Sequence, residues 1–130
     1  MTDAGRPAPR WVRLWYRGAA AYGVLVLAPL LLGETALAGA RGPRADPVSY
    51  YGFVGTALAF QLVYWTVGGD PVRHRPLMPV TVVAKLAFLL PVLLLFAQGR
   101  AGAGTLFFAG ADGLLAAGFL LAWRATPGSR

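Results

Sequence analysis

The sequence predicts an all-α protein, an integral membrane four-helix bundle with both termini in the cytoplasm, on three observations. Of its 130 residues, 57% are hydrophobic and 13% are charged, against about 25% charged in an ordinary soluble domain. Four apolar stretches are each long enough to cross about 30 Å of hydrocarbon, which takes about 17 to 25 helical residues. The arginines are divided unevenly among the segments that separate those stretches. A water-soluble domain needs a polar exterior that five acids and twelve bases do not supply, so the apolar excess is expected to face lipid. The chain has no cysteine, which excludes disulfides, thiolate metal sites and thiol redox chemistry.

The first span is expected at about residues 16–33, where Arg10, Arg13 and Arg17 stand before or at the start of the run YRGAAAYGVLVLAPLLLG. A secretory signal peptide competes for this segment, because Ala36, Ala38 and Ala40 offer small-residue cleavage positions beyond it. The run is longer than a signal core of about 7 to 15 residues, which favours a retained helix. The second span is expected at about residues 50–68, the third at about 77–97 and the fourth at about 104–123. Between them lie residues 34–49, the tight connection 69–76 and the short connection 98–103, all rich in glycine, proline or charge. The tails, residues 1–12 and 124–130, are polar and proline-containing and are expected to be disordered. No internal repeat or separate soluble domain is visible, so the chain is expected to form one transmembrane domain.

The net charge of +7 invites a nucleic-acid reading, but eleven of the twelve bases lie between or beside the apolar runs rather than on a polar domain. Topology accounts for them better, and no nucleic-acid partner is expected. Placing the N-terminus, the second connection and the C-terminus on one side puts eight arginines there, at positions 6, 10, 13, 17, 73, 75, 124 and 130. Arg41, Arg44 and Arg100 fall on the other, and by the positive-inside rule the first side is cytoplasmic. Trp11, Trp15, Tyr16, Tyr64, Trp65 and Trp123 then fall near the cytoplasmic boundary, and Tyr50 and Tyr51 near the opposite one, as interfacial aromatics do. The localisation implied is a plasma (inner) membrane.

Strongly polar side chains within the spans are few: Gln61, Lys85 and Asp112. Each costs a few kcal/mol in hydrocarbon, so each is expected to face the bundle interior. Lys85 and Asp112 differ in expected depth by about 5 Å, a gap that a lysine stem bridges. Asp112 shares a helical stripe with Thr105, Ala109 and Ala116, a small-residue face open to close helix approach, while Phe107, Leu114 and Leu121 point to lipid. Two readings of the trio stand beside each other. One is a buried Lys85–Asp112 ion pair, supported by Gln61, that fixes helix register; the other is a site at which Asp112 changes protonation or binds a cationic substrate. In a third, Lys85 snorkels toward the cytoplasm and Asp112 faces a wet cavity or an oligomer partner.

The connection holding Asp70, Arg73, His74 and Arg75 is the second feature. It reads as an Asp-Pro turn with a basic face toward anionic headgroups or, more sharply, as a phosphate or partner contact. His74 is the only histidine, so a bis-histidine haem is impossible, and no metal ligand set or cofactor is expected. The spans hold no serine or histidine for intramembrane proteolysis, and one aspartate does not suffice for metal-assisted lipid phosphate chemistry. Small multidrug exporters carry their essential acid in the first helix, whereas Glu34 lies only at the far end of this one. Ala19 with Gly23, Gly55 with Ala59, and Ala109 with Gly113 and Ala117 are spaced for close helix packing, and Pro29 and Pro91 are expected to kink their spans or to free carbonyls toward neighbouring helices.

The segment GDPVRHRPLMPVTVVAKL resembles the link between the second and third helices of a group of small four-helix bacterial membrane proteins. These carry an RDPxRYRPLM-like stretch followed by an acidic-lysine pair. Ala84 stands at the acidic position before Lys85, and His74 replaces the aromatic. The resemblance implies the architecture and no activity; helix number and size are more distantly similar to DoxX-like membrane proteins. The expected function is that of a non-enzymatic packing or interaction subunit, with the bilayer and a second copy or another membrane protein as partners. A small oligomeric transporter or proton-coupled carrier using the intramembrane trio is the alternative, and a subunit of a membrane enzyme whose chemistry lies elsewhere is a third reading.

Overall fold

The computed structural model describes residues 5–32 and 46–128. Four long helices account for most of them: α1 (Arg10–Leu27), α2 (Pro47–Gly69), α3 (Met78–Ala97) and α4 (Ala103–Ala125). Three segments, Arg10–Leu32, Arg75–Ala97 and Ala103–Ala125, are long and apolar enough to cross a membrane. The expected second span is present as a helix of 23 residues without a charged side chain, but Tyr50, Tyr51, Gln61, Tyr64 and Trp65 leave it less apolar than the other three. The expected connection at 34–49 falls largely outside the described residues, as do the cleavage positions considered above, the first four residues and the last two.

Local signals set the helix ends. Asp46 caps α2, its carboxylate accepting from the Ser49 amide at 3.2 Å and from the Ser49 hydroxyl, with Pro47 in the first helical turn where its missing N–H costs nothing. The helix thus starts three residues before the expected position. α1 passes into a 3-10 turn at Ala28–Leu32, beside Pro29, which cannot donate to the α-helical ladder. Pro91, in contrast, is carried inside an unbroken α3. α3 closes on Gly99 at φ 70°, with Gly99 N–H bonding Phe96 at 2.9 Å and Arg100 N–H bonding Leu95 at 2.8 Å, a paired cap that suits glycine.

The helices form two antiparallel hairpins, α1 with α2 and α3 with α4. They meet at one end of the bundle, where the start of α1, the end of α2, the start of α3 and the end of α4 bury Val12, Tyr16, Val67, Met78, Phe119 and Ala122 together. Each helix contributes a stripe at helical spacing, such as Met78, Thr81 and Lys85 on α3. Tyr16 stacks on Phe119 at 4.4 Å between ring centres, and its hydroxyl lies 2.7 Å from Thr81 Oγ1. Trp15 reaches across to α4, its indole N–H 3.4 Å from the Leu115 carbonyl. Glycine permits that crossing, since a Cβ at position 118 would lie 2.0 Å from Trp15 Cε2. At the other end large apolar side chains such as Leu25, Leu32, Leu94 and Phe107 stay exposed.

Two expectations are corrected here. Residues 10–12 and 124–126 are not disordered tails: α1 begins at Arg10, Val12 is in the core, α4 runs to Ala125, and Thr126 is buried. Val12 packs into the aromatic junction and Thr126 bonds to Ala122 and Arg75, which outweighs the polarity that suggested tails. Tyr16 and Tyr64, expected among the interfacial aromatics, are buried between helices instead, because each ring fills the junction of the hairpins. Of the small-residue pairs, Gly55 with Ala59 faces open space, whereas Gly113 packs on Leu89.

Filling position 118 should therefore separate the hairpins. Gly118→Leu is expected to cost about 2 kcal/mol by overpacking against Trp15, whereas Gly110→Leu, with nothing within 4 Å of its Cβ position, should be near neutral; denaturant titration of the detergent-solubilised protein measures both. The α2 cap carries a pH signature. Bonds from Ser49 hold the Asp46 carboxyl below its ordinary value of 3.8, so the cap's contribution is complete above that value and is lost as pH falls through the lower, folded-state value. The Ser49 amide resonance should titrate with a midpoint below 3.8, and Asp46→Ala should abolish the titration.

Candidate functional site

Lys85 and Asp112 meet between α3 and α4. Lys85 projects from the same α3 stripe as Met78 and Thr81, and Asp112 from the α4 stripe that holds Ala109 and Ala116, so the small side chains of α4 let the two helices close around the charges. Lys85 Nζ lies 2.9 Å from Asp112 Oδ1, with the two side chains 9% and 19% exposed. The ammonium also sits 5.3 Å from the centre of the Tyr64 ring, a cation–π contact that extends the pair to α2. An ion pair this far out of water is held by mutual neutralisation and hydrogen bonding, and removing one partner strands the other.

Gln61 does not join the pair. Its side chain is buried against α1, where a Cβ on Gly23 would lie 2.0 Å from Oε1. The amide donates to the Ala57 carbonyl at 2.8 Å, while Oε1 has no hydrogen-bond partner. The expected trio is thus a pair plus a glutamine on the neighbouring α1–α2 interface, and the link between them is Tyr64, one turn along α2 from Gln61. Their presence together in the spans suggested a shared site, but position along a helix says nothing about the direction in which a side chain leaves it. Tyr64 was the residue to find: it follows Gln61 at helical spacing and is an aromatic near a lone lysine.

The basic connection is organised rather than loose. Asp70 accepts from the Arg73 backbone N–H at 3.2 Å, and His74 Nδ1 lies 2.9 Å from the Asp70 carbonyl. Arg75 turns away to the end of α4, donating from Nε to the Thr126 carbonyl at 2.8 Å with its guanidinium 5.3 Å from the Trp123 ring centre. Arg75 therefore closes the bundle end, which leaves Arg73 as the exposed base of this turn. Among the described residues, no group of three histidine or acidic side chains is placed to hold a metal ion.

Comparison of the chain with protein families, with curated proteins and with solved structures gave no match. The site holds one acid against one base in an apolar junction.

A substitution cycle reads the coupling. Asp112→Asn alone should destabilise the solubilised protein by about 2 kcal/mol, at the lower side of a buried pair because Asp112 keeps some exposure. Lys85→Met with Asp112→Leu should recover most of that loss, measured by denaturant titration; additive single effects would disprove the coupling.

Proposed function

We propose that the protein is a non-enzymatic, four-span packing or interaction subunit of a bacterial plasma membrane, with both termini cytoplasmic. The observation that carries this reading is the closed Lys85–Asp112 pair at 2.9 Å, which satisfies the acid inside the chain and leaves it bonded rather than presented to a substrate. Three segments long and apolar enough to cross a membrane support insertion. The α2 helix, uncharged and 23 residues long, completes an even number of crossings by pairing along α1. The start of α1, the α2–α3 turn and the end of α4 lie at one end of the bundle, and with the eight-to-three division of arginines in the sequence that end is the cytoplasmic one. The resemblance of the turn to small four-helix membrane proteins agrees with this arrangement.

The alternative, a small oligomeric transporter or proton-coupled carrier, draws on one observation: Asp112 keeps more exposure than Lys85, 19% against 9%. Four helices of this length enclose little cavity, so such a carrier would have to build its path between copies.

Three measurements test the reading together. A reporter fused to the C-terminus should be active only in the cytoplasm. Purification of the tagged chain from its native membrane should recover a membrane protein at fixed stoichiometry whose level falls when the chain is removed; recovery of the chain alone would count against an interaction role. Proteoliposomes should show no proton flux that depends on Asp112, and flux abolished by Asp112→Asn would shift the assignment to the carrier.

A further inference from the structure

Apart from the ion pair, the strongest unabsorbed feature is the group of arginines on the first turns of α1. Arg13 and Arg17 are one turn apart and both exposed. The α1 backbone between them lies directly on the last turn of α2: a Cβ on Gly68 would be 3.2 Å from both the Arg13 carbonyl oxygen and the Arg17 nitrogen. Gly69 keeps the same approach open, with Arg17 Nη2 3.6 Å from its Cβ position. The Arg17 guanidinium is laid over Trp65, 4.7 Å from the ring centre. The ring orients the cation without neutralising it. Neither arginine forms an ion pair among the described residues, and the acid that follows this turn, Asp70, is engaged by the Arg73 backbone instead.

We infer that Arg13 and Arg17, seated on Gly68 and Gly69 and backed by Trp65, form a binding site for the phosphate of an anionic lipid headgroup. Guanidinium groups present paired donors that match phosphate oxygens, and a guanidinium already oriented by an aromatic face loses less freedom on binding. Two unpaired cations on adjoining turns set the sign of the ligand. Its source is set by what surrounds them: Leu14 and Trp65 beside the arginines are 62% and 51% exposed, an apolar and aromatic border that suits acyl chains and the headgroup boundary rather than water. Free phosphate would meet the same donors but gain nothing from that border.

The inference rests on the membrane reading proposed above, and one experiment separates the two. The full-length protein is reconstituted in nanodiscs of phosphatidylcholine with and without phosphatidylglycerol, and the lipids retained on the released chain are counted by native mass spectrometry. The wild type should retain phosphatidylglycerol in preference. Arg17→Gln should lower that retention about fivefold, the equivalent of about 1 kcal/mol for a base at a membrane surface. Arg17→Lys, which keeps the charge without the planar fork, and Gly69→Leu, which keeps every charge but occupies the space beside Arg17, should lower it as well, with helical circular dichroism unchanged. Arg124→Gln, at the end of α4, should leave it as in the wild type. Equal losses from Arg124→Gln and Arg17→Gln, or full retention by Arg17→Lys, would mean diffuse charge and overturn the site. Displacement of the lipid by inorganic phosphate that itself remains bound in phosphatidylcholine discs would overturn the lipid assignment. Insertion without lipid preference rejects the site alone, whereas failure to enter the discs rejects the membrane reading with it.

Discussion

Tyr16 is the side chain through which the two hairpins become one bundle. It leaves α1, stacks on Phe119 of α4 at 4.4 Å and meets Thr81 of α3 with its hydroxyl at 2.7 Å. Tyr64 of α2 closes on the same phenylalanine at 5.0 Å. All four helices thus touch around one aromatic group. In the membrane setting proposed above, burial gives little reason for helices to associate, and close packing with a few satisfied polar contacts holds them. That constraint explains why glycine appears where helices cross and why the largest buried side chains gather at one end.

The ion pair depends on that junction. The Tyr64 ring that touches Phe119 also lies under Lys85, so the aromatic cluster and the Lys85–Asp112 pair are adjoining layers of one assembly. Thr81, which bonds Tyr16, lies one turn before Lys85 on the same α3 face. The polar groups here stabilise one another's placement: Tyr16 fixes the α3 face toward α1, and α3 in turn presents Lys85 to α4. Gln61 occupies the neighbouring interface, where Gly23 makes room for an amide whose oxygen has no hydrogen-bond partner.

Much of this was legible in the chain. Hydropathy located the helices, and the spacing of Ala109, Asp112 and Ala116 placed the acid on a packed face. The start of α2 was also encoded, in Asp46, Pro47 and Ser49, although the loss of hydropathy before Tyr50 obscured it. The ends of the bundle were hidden because polarity and proline at residues 6–12 and 124–128 mimic a tail, while Val12 and Thr126 are buried by partners far away in sequence. Arg75 illustrates the same limit: its charge was evident, but its use as a clasp on the Thr126 carbonyl depends on where α4 ends.

The sequence by itself determined the all-helical class and the approximate helix limits, and offered the Lys85–Asp112 pair as one of three readings. Those follow from local periodicity and from the cost of leaving either charge alone in an apolar setting. Only the tertiary structure decided that Gln61 faces α1 rather than the pair, that Tyr16 and Tyr64 are core residues, and that Arg13 and Arg17 sit over glycines of α2. These are rotational choices about each helix axis. Depth and composition are indifferent to them, and they are settled by which side chains can interlock when four helices are brought into contact.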